Sequence, residues 1–317
     1  LTGVDGMLIY NSETNKFRGR ENGAWSDFGG GDFMANGSVP MTGGLDMAGN
    51  AVYGVGSLTA SGTITVGANT GADGYDVNFY GTLGALTGSR MFWDASKSAF
   101  RAGRVDGAQW DDANVGNYSF AVGLRTTASG GASTAMGAYT TASGNNSTAL
   151  GYGAEASGYS STAMGSNTTA IGSPSTAMGS NTTASGNEST AMGYYTTASG
   201  DVSTAMGYYT TASGYSSTAM GYYTTASGNN STAMGDGAEA SAPASTAMGI
   251  DTTAGGYASL AAGQFVTAGP NANTIALGKG VDTTNRMVNN TANSFGVGFD
   301  STVPTLFVGP GSGVGTF

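Results

Sequence analysis

The chain has 317 residues, of which 56 are glycine, and it contains neither cysteine nor histidine. These two absences exclude disulfides, Cys/His zinc sites, haem ligated by His or Cys, and nucleophilic sites that depend on histidine. The net charge is −10 with only 10 Lys and Arg residues, so the sequence predicts no bound nucleic acid. No apolar run approaches ~18 residues, so no segment inserted in a membrane is predicted. No cofactor is predicted, since the glycines are periodic and form no phosphate-binding loop.

The residues before position 117 predict small β modules in series. In residues 1–30, three runs bounded by turn residues predict an antiparallel meander with strands near Met7–Tyr10, Lys16–Arg20 and Ala24–Phe28. Residues 31–73 are rich in glycine and predict a fibrous segment. Residues 74–116 predict a second small module with strands at Tyr75–Tyr80, Arg90–Trp93 and Ala99–Arg101.

A repeat of 14 residues dominates the chain from residue 117 to residue 280. The pentapeptide Ser-Thr-Ala-Met-Gly, first found at Ser133, alternates with Thr-Thr-Ala-Ser-Gly, and two variable residues separate them on each side. Threonine favours strands and glycine favours tight turns, whereas glycine at every seventh position would destabilise a helix by ~1 kcal/mol each time. The period therefore predicts an all-β fold in which each 14 residues form one coil of two strands, and the coils stack as a β-solenoid.

Strand alternation places Ala128 and Ala135 inside the coil and Thr134 and Met136 outside it. The coils then carry a column of nine large apolar side chains on one outer face: Met136, Leu150, Met164, Met178, Met192, Met206, Met220, Met234 and Met248. Burying one such side chain gives ~2 kcal/mol, or about 18 kcal/mol for the column, against ~4–15 kcal/mol for association. The column predicts self-association with closed symmetry, and this estimate leaves dimer and trimer open.

The repeat Ser-Thr-Ala-Met-Gly-x-x-Thr-Thr-Ala-Ser-Gly-x-x resembles the head repeat of the YadA-like trimeric autotransporter adhesins, over about residues 117–280. The resemblance implies a left-handed parallel β-roll in a homotrimer, with Thr134, Met136 and their equivalents facing the three-fold axis. It also implies a non-enzymatic extracellular protein of the cell surface that binds a cell-surface glycan or protein receptor.

The flanks are similar to another class of fibre. Short stretches at 6–27, 39–50 and 293–309 resemble small modules of phage tail fibres, and residues 281–317 predict a C-terminal β segment. A bacterial surface adhesin and a virion tail fibre are therefore both open as the context of the chain.

Pairs of tyrosines recur at one turn of three successive coils and predict an aromatic ladder: Tyr194, Tyr195, Tyr208, Tyr209, Tyr222 and Tyr223. Exposed aromatic rows can contact sugar rings or a receptor, which makes the ladder a candidate ligand surface. The alternative is a self-stacking ladder that only protects the turn.

Two rival functions use other residues. Carboxylates in residues 74–118 could serve a fibre-borne polysaccharide depolymerase, as paired acids do in glycoside cleavage. Columns of Thr127 and Ser129 type could form an ice-binding array, although Glu155 and Glu239 interrupt it. The acidic turns near Asp73 and Asp106 do not match a spaced calcium loop, so no metal site is predicted.

Overall fold

The computed structural model of the protein describes residues 8–11, 16–21, 23–27, 88–94 and 96–310. The chain divides into two compact units, residues 1–75 and residues 76–317. The fibrous segment predicted at 31–73 and the strand predicted at Tyr75–Tyr80 lie outside the described residues.

The first unit contains a three-stranded antiparallel sheet whose strands are adjacent in chain order. The strands are Leu8–Asn11, Lys16–Glu21 and Ala24–Asp27. The three strands predicted for the meander are therefore confirmed, with each end within one residue of its predicted position.

The second unit contains a parallel β-solenoid with coils of 14 residues, which confirms the predicted architecture. Each coil contributes one strand to each of two sheets, which we name the long-strand sheet and the short-strand sheet. Between residues 120 and 264 the long strands are Phe120–Leu124, Thr134–Ala138, Thr148–Tyr152, Thr162–Ser166, Thr176–Ser180, Thr190–Tyr194, Thr204–Tyr208, Thr218–Tyr222, Thr232–Asp236, Thr246–Ile250 and Leu260–Gln264. The short strands are Thr127–Ala128, Thr141–Ala142, Glu155–Ala156, Thr169–Ala170, Thr183–Ala184, Thr197–Ala198, Thr211–Ala212, Thr225–Ala226, Glu239–Ala240 and Thr253–Ala254.

Both sheets continue beyond the regular coils. Before them, the long-strand sheet begins with an antiparallel hairpin of Gly88–Asp94 and Ala99–Val105, followed by 3₁₀ helices at Ala108–Trp110 and Asp112–Asn114. After them, it takes in Thr274–Lys279, Ser294–Gly298 and the antiparallel strand Leu306–Val308, while the short-strand sheet ends with Val266–Ala268 and Met287–Asn289. The sheets thus run across the limits at 116/117 and 280/281, and the division into three domains there stays a prediction.

The interior of the solenoid is thin, as the alternation predicts. The alanine columns that contain Ala128 and Ala135 are fully buried, and the columns of Thr126 and Ser133 are buried beside them. The Ser133 hydroxyl donates to the Gly130 carbonyl at 2.7 Å. The repeated coils therefore bury nothing larger than threonine, and hydrogen bonds between coils must supply much of their cohesion.

A column of glycines at the fourth residue of each regular long strand permits this tight stacking. Gly207 has a φ of +129°, and a Cβ built on it would lie 2.0 Å from the carbonyl oxygen of Gly221 in the next coil. Only glycine combines this backbone conformation with this close approach, so the sequence repeats it in every coil.

Two large side chains close the N-terminal end of the solenoid. Arg101 is paired with Ala121 and lies where the repeated coils have alanine, and its guanidinium donates to the carbonyls of Phe100, Ser119 and Ala128 at 2.8–3.1 Å. Burial lowers the pKa of Arg101 to about 10. The buried Trp110 donates through Nε1 to the Thr126 carbonyl at 2.9 Å. We name Arg101 and Trp110 the N-terminal plug.

Candidate functional site

The outer face of the long-strand sheet carries the predicted column of large apolar side chains. Strand pairing sets each member beside its equivalent one coil away, as Met192 beside Met206. The same register holds along the whole column of Met136, Leu150, Met164, Met178, Met192, Met206, Met220, Met234 and Met248. We name these nine residues the methionine column.

The methionine column lies on the surface of the single chain. Met136 is 41% exposed, Met164 39% and Met248 37%, and the other six are partly exposed. A contiguous apolar stripe of this length is typical of a surface that binds another protein. Its role as a trimer interface stays a prediction at this point.

The two ends of this face hold apolar residues that sequence reasoning missed. In the column that is threonine in the regular coils, Phe100 lies beside Phe120 at one end, and Leu260, Ile275 and Phe295 follow one another at the other. The degenerate repeats Ser-Phe-Ala-Val-Gly and Ser-Leu-Ala-Ala-Gly were the available signal for Phe120 and Leu260. Phe100 and Phe295 gave none, because 20 residues separate each from its neighbour in the column.

The six tyrosines form the ladder that the period predicts. Ring centroids in one column lie 5.2 Å apart for Tyr194–Tyr208 and 5.0 Å apart for Tyr208–Tyr222, with nearly parallel planes. In the other column, Tyr195, Tyr209 and Tyr223 stack at 4.8–5.0 Å. Stacking covers the faces of the middle rings, so the ladder presents mainly ring edges and hydroxyls to a ligand. Its role as a ligand surface stays a prediction.

The backbone of one ladder column is in the left-handed region. Tyr195, Tyr209 and Tyr223 have φ values of 52–53°, and the equivalent residues Asn167 and Asn181 have 51° and 53°. Asparagine adopts this conformation readily, whereas a bulky residue does so at a cost of order 1–2 kcal/mol. The coils therefore accept either residue type, and tyrosine is the more costly of the two.

Three of the ladder tyrosines have a raised pKa. Desolvation raises the pKa of Tyr194, Tyr209 and Tyr222 above the usual value, and the adjoining tyrosines raise it further. Each of these hydroxyls can therefore donate a hydrogen bond as well as accept one. Such a row suits a ligand rich in hydroxyl or carbonyl oxygens.

Two of the acidic residues considered for catalysis or metal binding, Asp106 and Asp112, are engaged in ion pairs. Arg125 Nε donates to Asp106 Oδ1 at 2.6 Å, and this bond lowers the pKa of Asp106, which favours the charged form over a proton-donating acid. Lys97 lies 3.0 Å from Asp112. The described part of the chain contains no group of three or more acidic residues placed to hold a metal ion, and Asp73 lies outside it.

The short-strand sheet carries the Thr127 column on its outer side, with Glu155 paired between Thr141 and Thr169. Only two residues of each coil belong to a regular short strand, so Ser129 lies beyond the strand. Among the described residues, none of the helices has the length and apolar character that a bilayer crossing requires.

Comparison with protein families gives one match. Nine overlapping stretches between residues 115 and 252 match a family model that is described as two copies of the YadA head domain repeat. The stretches are 115–140, 128–154, 142–168, 156–182, 170–196, 184–210, 198–224, 212–238 and 226–252. They cover less than half of the 317 residues. No curated protein matches the chain.

Proposed function

Residues 115–252 are YadA head domain repeats, and from this premise we propose that the chain is a trimeric, non-enzymatic adhesin head displayed on the outside of a bacterial cell. Three copies associate through their methionine columns around a common axis. The left-handed winding implied by the resemblance belongs to the same proposal. The observation that carries it is the unbroken column of nine large apolar side chains on the outer face.

The size of this face supports the proposal. Eleven five-residue strands lie between residues 120 and 264, and at ~3.3 Å per residue and ~4.8 Å between strands they span roughly 850 Å². A specific interface buries about 800 Å² on each partner. In a trimer this face is shared between two neighbours, so each chain offers in all about the area that one partner buries in a single specific interface.

The test is the mass of the full chain in solution. We expect three times the 31.2 kDa of one chain. Replacing Met192→Asp and Met206→Asp would place charges in a dehydrated interface, so we expect this variant to dissociate or to fail to fold. Thr197→Asp with Thr211→Asp, on the short-strand sheet, is the matched control and should remain trimeric. Folded monomers for both the native chain and the methionine variant would contradict the proposal.

The tyrosine ladder is our proposed contact surface for a glycan or protein receptor on the target. Three ladders in a trimer would add weak contacts into one stronger attachment. The observation that supports it is the use of tyrosine at a backbone position where asparagine costs less.

Asparagine provides the variant that tests the ladder. Tyr195→Asn, Tyr209→Asn and Tyr223→Asn keep the turn conformation found at Asn181. We expect at least tenfold weaker binding of labelled protein to target cells, while Tyr159→Ser, which removes an exposed tyrosine outside the ladder, should change nothing. Undiminished binding of the asparagine variant would show that the ladder only stacks on itself.

A further inference from the structure

The central part of the proposed interface looks the same from every coil. Between Thr134 and Met248, each regular long strand presents threonine and then methionine or leucine to the outside, and the pattern returns after 14 residues. A copy displaced by one coil along the axis would contact the same types of side chain and would lose only the contacts of one coil. The methionine column therefore defines the axial position of the chains weakly.

The two ends of the face do not repeat. We name Phe100 and Phe120 the N-terminal apolar pair; their rings stack at 5.3 Å with planes 19° apart. We name Leu260, Ile275 and Phe295 the C-terminal apolar triplet. Phe120 is 37% exposed and Ile275 36%, and the other three are partly exposed, so all five lie open on the same face as the methionine column.

We infer that the apolar pair and the apolar triplet fix the axial register of the three chains. The occupants of this face are two further copies of the same chain, because only copies in register bring each end against its own equivalent. After a displacement by one coil, Phe120 would lie against a threonine hydroxyl at the position of Thr134, and Leu260 would lie against Thr246 or Ile275. This inference rests on the proposed trimer.

Removal of one whole coil provides a test that leaves all the remaining strands intact. A chain lacking residues 176–189 joins Ser175 to Thr190 and keeps the 14-residue period. In a trimer that mixes long and short chains, one end can be in register but the other is displaced by a coil. If both ends matter, the two lengths should sort into separate trimers.

The experiment refolds long and short chains together and counts the trimers by native mass spectrometry. We expect mixed trimers to be at least about tenfold rarer than random mixing gives, which corresponds to ~1.4 kcal/mol. Removing one end should weaken the sorting, because mixed trimers can then align on the other end and lose only the contacts of one coil. We therefore expect mixed trimers to be clearly more abundant than with the native ends when both chains carry Leu260→Thr and Ile275→Thr, and independently when both carry Phe100→Thr and Phe120→Thr. Ile171→Thr, beside the short-strand sheet, is the matched control and should leave the sorting unchanged.

Each outcome decides one question. Random mixing of the native ends would overturn the register inference while leaving the trimer in place. Sorting that is undiminished in both end variants would also overturn it, because some other part of the chain would then set the register. A folded monomer would overturn the proposed function and the inference with it, and the mass alone would reveal this.

Discussion

Substitution of a single glycine in the repeated column should break the solenoid at one coil. In Gly207→Ala, the added methyl would lie 2.0 Å from the Gly221 carbonyl oxygen, whereas ordinary contacts begin at 3.4 Å. Coils ~4.8 Å apart would have to separate by more than an ångström, which breaks the hydrogen bonds between two long strands. About four bonds at ~1 kcal/mol, with ~1–2 kcal/mol for the backbone at φ +129°, give a loss of roughly 5 kcal/mol.

Gly255→Ala is the matched control for this prediction. The nearest atoms to an added methyl there are 3.9 Å away, and other coils carry serine at the same position, as at Ser241. We expect a change between zero and a gain of ~1 kcal/mol, because alanine restricts the unfolded chain. Guanidinium unfolding followed by circular dichroism measures both variants. Similar stability of Gly207→Ala and Gly255→Ala would refute the close packing of the glycine column.

Three further predictions concern the interior, the N-terminal plug and acid stability. Thr196→Val should raise the free energy of unfolding by ~1 kcal/mol in thermal melts, because the Thr196 hydroxyl is buried without a hydrogen-bond partner in the described residues. Thr197→Val, on the outer side of the short strand Thr197–Ala198, is the control and should change the free energy of unfolding by less than ~0.5 kcal/mol. Arg101→Leu removes the guanidinium donor from three carbonyls, although those of Ser119 and Ala128 keep a backbone amide donor. It should cost about 2 kcal/mol, seen first as faster hydrogen exchange in the coil at 119–130. Hydrogen bonds from Asn285 and Thr284 lower the pKa of Asp282. The ionised carboxylate therefore contributes fully to the stability of the fold above pH ~3.9, the usual pKa of Asp, and this contribution is lost as the pH falls further. In melts recorded from about pH 7 to about pH 2, Asp282→Asn should make the melting temperature less dependent on pH below ~3.9.

The repeated part of the fold could be predicted because its period leaves little freedom. Once 14 residues form one coil, equal positions must stack, and the inner alanines, the methionine column and the tyrosine ladder follow directly. The second strand of each coil is shorter than the pentapeptide Thr-Thr-Ala-Ser-Gly that contains it. Residues such as Gly130 already belong to the turn, where the Ser133 amide donates to the Gly130 carbonyl at 3.3 Å, so only Thr127–Ala128 pair regularly.

The ends of the solenoid could not be predicted, because there the period fails. Phe100 pairs with Phe120 across 20 residues, and Leu260 pairs with Ile275 across 15. Without a fixed spacing, nothing in the sequence shows which residue replaces the inner alanine. Arg101, a charged residue in a sequence otherwise poor in charge, gave no sign that it would be fully buried. The positions of the N-terminal apolar pair and the C-terminal apolar triplet could not be predicted for the same reason.

The narrow interior has a consequence for how the molecule loses its structure. No repeated coil has a core of its own, and each one rests on the coil above and the coil below. Unfolding should therefore start at an end of the solenoid and spread inward from coil to coil. The N-terminal plug and the antiparallel strand Leu306–Val308 cover the two ends of the solenoid and oppose this unfolding. Resistance to proteases should depend on these two ends more than on the number of coils between them.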